Sequence, residues 1–359
     1  MKAIVDPSLL IKELKKINPV IGKNQVMPVL GCVKMDFEDK KLKVTGTNLN
    51  NWVSYTIPCE MKSNFSIVIE IAAMIEICGK AQGPMTIEAG EKFHKFKDDR
   101  ATIKEPVSSQ PKDFVNVEDV EYLDTVDVDG SFFHALAGAA VCMLRDPMRP
   151  HISAIGLDFK KDALTVIGID GAIMHKQDFH IATKKPITVS VSSIFADLTK
   201  FFQESKLSVS AKFVKVEYAG AVVVSRLSES KFIDYNYALR DYKNEWNLTV
   251  NRKDLLTSID IVDFATKNIL FTLTPGSLNL FAEDTMIERQ ATADIPAQHD
   301  LDMKIAMDGK KLTSVLNTIS DENICFGIKS HEDNIFIKPE DSDSILLGIM
   351  PLVINDLKQ

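Results

Sequence analysis

Leu42-Lys43-Val44-Thr45-Gly46-Thr47-Asn48 recurs as Leu164-Thr165-Val166-Ile167-Gly168-Ile169-Asp170 and, more loosely, as Leu278-Asn279-Leu280-Phe281-Ala282-Glu283-Asp284. Each stretch is an alternating apolar strand that closes on a polar turn. The copies stand about 120 residues apart, well beyond the roughly 20–50 residues of a solenoid unit. The period is domain-sized, so the chain is expected to hold three copies of one small fold.

Other landmarks keep this period. Residues 9–17 read as an amphipathic helix with Leu10, Leu14 and Ile17 on one face, and 132–141 and 255–262 are its counterparts. A second helix follows in each copy, at 71–77, 193–202 and 311–319. Between the helices, short apolar runs joined by charged turns (residues 36–41 and 158–162) predict antiparallel strands. The expected fold class is α+β: three repeated domains, each of two helices packed on an antiparallel sheet. Breaks at 105–124, rich in Pro, Ser and carboxylates, and at 240–245 place these domains at 1–122, 123–243 and 244–359.

Hydrophobic residues make up 45% of the chain and charged residues 26%, an ordinary globular composition. No apolar run reaches 18 residues and Lys12, Lys15 and Lys16 interrupt the first helix, which argues against a membrane span or signal peptide. The five cysteines form no CxxC pair, as expected for thiols in a reducing cytoplasm. The formal net charge is −8, but it is unevenly spread. Residues 1–50 hold nine Lys against five Asp or Glu, whereas 331–359 hold two against six. Basic side chains collect on or beside helices, and acidic ones in turns and linkers. That pattern reads either as solvated helix faces or as a basic helical surface backed by acidic sheets.

Catalytic signatures are sparse. The chain has no P-loop, GxGxxG, HExxH or GxSxG motif. Asp127/Asp129 and Asp341/Asp343 imitate paired metal-binding carboxylates, but both pairs sit among other acids at turn-like positions. No catalytic site, metal site or cofactor is expected.

Met1-Lys2-Ala3-Ile4-Val5, Met27-Pro28-Val29-Leu30-Gly31, the 42–49 stretch, residues 146–155, Asp170-Gly171, Phe232-Ile233-Asp234-Tyr235 and Met350-Pro351-Leu352 follow one another in order. Together they resemble the bacterial DNA sliding clamps, the beta subunit of the replicative DNA polymerase III, over essentially the whole chain. The resemblance implies the DNA clamp fold, closed as a head-to-tail homodimer into a ring around double-stranded DNA. Such a ring holds DNA topologically, while Lys and Arg on its inner helices attract phosphates without reading sequence. The implied protein partners are the replicative DNA polymerase, the clamp loader and other factors. These insert a short, partly apolar peptide into a cleft between the second and third domains.

Carried over by position, that cleft comprises Ile152, Ile169, Gly171, Ala172, Ile173, Met174, Ile233, Tyr237 and Ala238, completed by Met350, Pro351, Leu352, Val353 and Ile354. The family's usual pattern after Asp-Gly is His-Arg-Leu, and here it is Ala172-Ile173-Met174. Ile169 stands where a Thr is usual, Ile233 where a Pro is, and Val353 where an Arg is. The cleft is therefore expected to be more apolar than usual and to prefer its own peptides. That fits a clamp adapted to its own replication machinery, such as a phage-encoded one. The implied DNA contacts map to Asn24, Arg145, Arg149 and His151, with Lys23 beside Asn24; helical-face reasoning adds Lys12, Lys16 and Lys200. Asp146, in the same loop, is ill suited to a phosphate. Two readings from other classes stand beside this one: a three-domain interaction scaffold that does not touch DNA, and a metal-dependent hydrolase built on the paired aspartates.

Overall fold

The structure, a computed structural model, describes residues 1–21, 27–146, 148–240 and 242–353. Six α-helices lie among these residues: α1 (Pro7–Ile17), α2 (Ile71–Lys80), α3 (Gly130–Cys142), α4 (Ser193–Thr199), α5 (Arg252–Asp263) and α6 (Gly309–Leu316). The element order repeats three times as strand, helix, four or five strands, helix, three strands. Strands pair antiparallel throughout the described residues. The chain divides into two compact units, Met1–Asp129 with Phe201–Leu227, and Gly130–Lys200 with Ser228–Gln359.

Helix starts follow local chemistry. Asp6 accepts the Ser8 N–H at 2.8 Å with Pro7 in the first turn of α1, and Asn251 accepts the N–H groups of Lys253 and Asp254 at α5. Asp308 does the same for Lys311 N–H at α6, at 3.0 Å. Pro7, Leu10, Leu14 and Ile17 form the buried face of α1, and Lys15 and Lys16 complement its C-terminal carbonyls.

Two helices are shorter than the periodicity predicts. The α4 helix stops at Thr199, whose hydroxyl donates to the Phe195 carbonyl at 2.8 Å, and so does not reach 202. The α6 helix stops at Leu316, because Thr318 turns its hydroxyl onto the Val315 carbonyl at 2.7 Å and also meets His175.

The first unit contains a five-stranded and an eight-stranded sheet together with α1 and α2, which pack on each other. In the second unit the eight-stranded sheet runs Ile187–Val191, Ile155–Lys160, Ala163–Ile169, Ile173–Phe179, Ile345–Ile349, Ile335–Pro339, Asn323–Gly327, Leu248–Asn251. A four-stranded sheet, Arg289–Pro296, Ser277–Asp284, Asn268–Thr274, Met303–Asp308, completes the unit. Sequence-distant strands thus meet at Ile173–Phe179 and Ile345–Ile349, where Ile173 pairs with Ile349 and His175 with Leu347.

Glycine in the repeated motif has a packing reason. A Cβ on Gly168 would lie 1.9 Å from the Ala139 carbonyl oxygen of α3, and one on Gly46 would lie 2.3 Å from Ile17 Cγ2 of α1. At Gly168 helix and strand backbones therefore touch with no side chain between them, whereas at Gly46 the Ile17 side chain fills the space a Cβ would take. The third copy carries Ala282 at this place, buried beneath α5.

His175 is 1% exposed and packs its ring over Gly138 of α3, where a Cβ would lie 2.6 Å from Cε1. Its Nδ1 is 3.0 Å from Thr318 Oγ1, and its Nε2 is buried without a partner. Because the Thr318 hydroxyl donates to Val315, Nδ1 carries the proton and donates to Thr318. Burial pushes the imidazole pKa down to about 4.

Candidate functional site

The loop joining strands Ala163–Ile169 and Ile173–Phe179 begins the site. Asp170 Oδ1 accepts the N–H groups of Ala172 and Ile173, each at 2.7 Å, which fixes the turn. Gly171 takes φ +93° in open space, so its backbone rather than crowding requires glycine. The Met350 N–H donates to the Ala172 carbonyl at 2.8 Å, and the Leu352 N–H to the Ala306 carbonyl at 2.7 Å. The first bond ties the chain leaving the C-terminal strand to the loop, and the second ties it to strand Met303–Asp308.

Between them lies a shallow concavity. Among the residues expected from sequence, Ile169, Gly171, Ala172, Ile173, Met174, Ala238 and Met350 line it. Ile152 and Ile233 lie below, packed against the apolar cluster of Ile167, Ile169, Met174, Phe232, Tyr235, Phe336 and Leu346. Pro351 and Leu352 are half-buried, whereas Val353 is 82% exposed. Tyr237 is 68% exposed, its ring 4.3 Å from the Arg240 guanidinium carbon. Ile354 lies outside the described residues.

Sequence reasoning did not name Asn334, Phe336, Gly348 and Ile349, which also line the concavity. Phe336 pairs with Gly348 across strands, and a Cβ on Gly348 would stand 3.4 Å from Met174 Cβ. The missing side chain gives the cleft depth. The available signal was a glycine inside the apolar run Leu346-Leu347-Gly348-Ile349. No charged residue lines the concavity, and Asn334 carries its one polar side chain among the described residues.

The residues expected to meet DNA fall in both units. Lys12 and Lys16 are exposed on α1, but Lys16 Nζ pairs with Glu13 at 2.7 Å and lies 4.8 Å from the Tyr55 ring centroid. Lys23 and Asn24 lie outside the described residues. Arg145, Arg149 and His151 are exposed on the loop after α3, and Lys200 is exposed at the C-cap of α4. That loop is folded on itself: the Ile152 and Ser153 N–H groups donate to the Arg149 carbonyl, and Ser153 Oγ donates to the Asp146 carbonyl. Arg149 Nε donates to Asp146 Oδ2 at 2.9 Å, and this bond holds the Asp146 carboxyl below its usual pKa. Asp146 is thus the brace that orients Arg149.

The aspartate pairs do not converge. Asp127 pairs with Lys206 at 3.1 Å and Asp343 with Lys338. Among the described residues no three His, Cys, Asp or Glu side chains form a metal-binding group.

Residues 1–118 match the family model of the DNA polymerase III beta subunit, N-terminal domain. A beta sliding clamp of Buchnera aphidicola subsp. Acyrthosiphon pisum is 21% identical over 368 residues, covering 98% of this chain and 100% of the relative. The crystal structure of a Pseudomonas aeruginosa DNA polymerase sliding clamp with ligand superposes with a TM-score of 0.91 at 18% identity, over 99% of this chain and 100% of that one. A Pseudomonas aeruginosa sliding clamp bound to griselimycin gives a TM-score of 0.90 at 18% identity, with the same coverage.

Proposed function

We infer that this chain, a divergent member of the bacterial beta sliding clamp family, is a DNA processivity factor. It encircles duplex DNA and tethers the replicative polymerase and other factors through the 169–174/348–350 cleft. The observation that carries the tethering is the cleft: uncharged, apolar and framed by a hydrogen-bonded loop. Two large apolar side chains buried there contribute roughly 1.5–3 kcal/mol each. After association costs that matches a micromolar peptide, about −8 kcal/mol. Ala172 is half-exposed at the mouth, so Ala172→Asp places a charge against the incoming apolar side chain without disturbing the core. With matching loader and polymerase on a primed circle, the wild-type chain lengthens the products of one binding event. Ala172→Asp weakens polymerase affinity by about ten- to a hundredfold and, with the amount of loaded chain held equal because the loader uses the same cleft, shortens those products. Equal product lengths with and without the wild-type chain contradict the function.

The chain is read as three domains, 1–122, 123–243 and 244–359, two copies of which close head to tail. Two edge strands support that closure. Thr102–Pro106 ends the five-stranded sheet, and there exposed Lys104 faces exposed Lys95 directly across the strands, with neither paired to an acid among the described residues. Like charges so placed repel unless an external partner answers them. Arg289–Pro296 ends the four-stranded sheet, beside Glu283, Asp284 and Glu288. Phe264 and Met286 are 69% and 93% exposed at this end, with Arg289 stacked on Phe264. A basic edge on one copy meeting an acidic, apolar edge on the next covers both. Reversing Lys95 and Lys104 to Glu is expected to weaken the dimer by about tenfold or more in sedimentation velocity. Adding Asp284→Lys and Glu288→Lys to that chain is expected to restore it. An unchanged dimer after the first pair of reversals contradicts this interface.

A further inference from the structure

Strand Ile155–Lys160 alternates, so Gly156, Asp158 and Lys160 fall on one face. Segment 232–238 comes down on that face at two points. At the first, the Phe232 ring covers Gly156, where an added Cβ would lie 2.7 Å from Phe232 Cε1. At the second, the Tyr235 hydroxyl donates to Asp158 Oδ2 at 2.6 Å and accepts from Lys160 Nζ at 3.0 Å. Lys160 Nζ also lies 3.3 Å from Asp158 Oδ2, and Thr188 on the neighbouring strand donates its hydroxyl to Asp158 Oδ1 at 2.7 Å. Burial opposes a charge on Asp158, yet these donors hold its carboxyl below the usual range. Tyr235 is 4% exposed, and a phenol so buried requires a partner of this kind.

One tight turn separates Tyr235 from the cleft. Asp234 caps that turn, Tyr235–Tyr237, by accepting the Asn236 N–H at 3.1 Å, and the Ala238 N–H donates to the Tyr235 carbonyl at 3.0 Å. Ala238 lines the concavity, whereas Asp158 and Tyr235 stand behind it. We propose that Tyr235 and Asp158 are positioning residues of the cleft, whose hydrogen bond sets the place of the Ala238 wall and with it the size of apolar side chain admitted. Without that bond the turn is held at its Phe232 end alone, and the wall yields to a larger side chain. With it the wall is already in place, so little ordering opposes the fitting peptide. This inference rests on the cleft being a partner-peptide site.

The test uses the full chain and a dodecapeptide selected on it by phage display, with weakened binding to Ala172→Asp as the mark of cleft occupation. Tyr235→Phe keeps the ring in its apolar cluster and removes only the hydroxyl. It is expected to bind the peptide about five- to tenfold more weakly than wild type, and Asp158→Ala similarly. The double variant Tyr235→Phe/Asp158→Ala should bind within about twofold of the weaker single variant, because the bond is already gone. Asp158→Asn still offers the hydroxyl a partner and should stay within about threefold of wild type. A second peptide carries Trp in place of the larger selected apolar residue. Wild type should bind it about tenfold or more below the selected peptide, and Tyr235→Phe only about threefold below. A general loss of stability weakens both peptides alike and leaves that ratio unchanged. An unchanged ratio in Tyr235→Phe, or an affinity within about twofold of wild type, overturns the positioning role and leaves the cleft standing. Selected peptides that all bind Ala172→Asp as tightly as wild type overturn the cleft reading and this inference with it.

Discussion

Gly168→Ala is expected to remove about 3 kcal/mol or more of stability, among the largest losses from adding a single methyl group. The added Cβ would meet the Ala139 carbonyl oxygen at 1.9 Å and the Ala139 Cα at 2.8 Å, both backbone atoms of α3. No rotamer relieves such a clash, so the helix must lift off strand Ala163–Ile169 and lose contact along its buried face, which includes Phe132, Leu136 and Ala139. Gly171→Ala is the informative contrast, since its cost arises from a φ of +93° with no atom in the way. Urea unfolding followed by circular dichroism measures both. A loss below about 1 kcal/mol for Gly168→Ala, the ordinary scale of a glycine replacement, contradicts the close approach.

The second large effect is acid sensitivity through His175. Its imidazole has an ordinary pKa of 6.5 and a folded value of about 4. Between these values the unfolded chain binds a proton that the folded chain does not. Stability is therefore full above about pH 6.5 and falls as the pH drops toward 4. The difference corresponds to about 3 kcal/mol. The structural cause is Nε2, which would become a charged donor with no acceptor at a site 1% exposed. Carboxylates titrate over part of this range, so the relevant quantity is the difference from His175→Leu. The substitution should lower stability at pH 7, through the lost Thr318 contact, and flatten the slope between pH 6.5 and 4. A slope equal to that of wild type contradicts the assignment.

Much of the fold was legible because the signals were local. The alternating 42–48 stretch and its copies are strands, and each of the six predicted helices is present. Helix ends were less legible: α4 and α6 stop where Thr199 and Thr318 turn their hydroxyls onto backbone carbonyls, which periodicity does not encode. In the cleft, the 169–174 and 350 positions came from ordered motifs. Phe336, Gly348 and Ile349 enter through cross-strand register, which joins residues about 175 apart in sequence at the Met174–Gly348 pair. Charges chosen from helix faces fared differently again. Lys16 is paired with Glu13 and Arg149 with Asp146, so position on a helix or loop did not reveal which cations are held by neighbours.

Topological linkage to DNA is the central claim, and retention on circular against linearised DNA tests it most directly. The chain is loaded onto a nicked circle with its clamp loader and ATP, passed through a sizing column at moderate salt, and the circle is then cut once. The account predicts that the chain travels with the circle and is lost on linearisation, because a sliding ring leaves by a free end. Equal, salt-sensitive retention on both forms would show ordinary phosphate contact and contradict the ring.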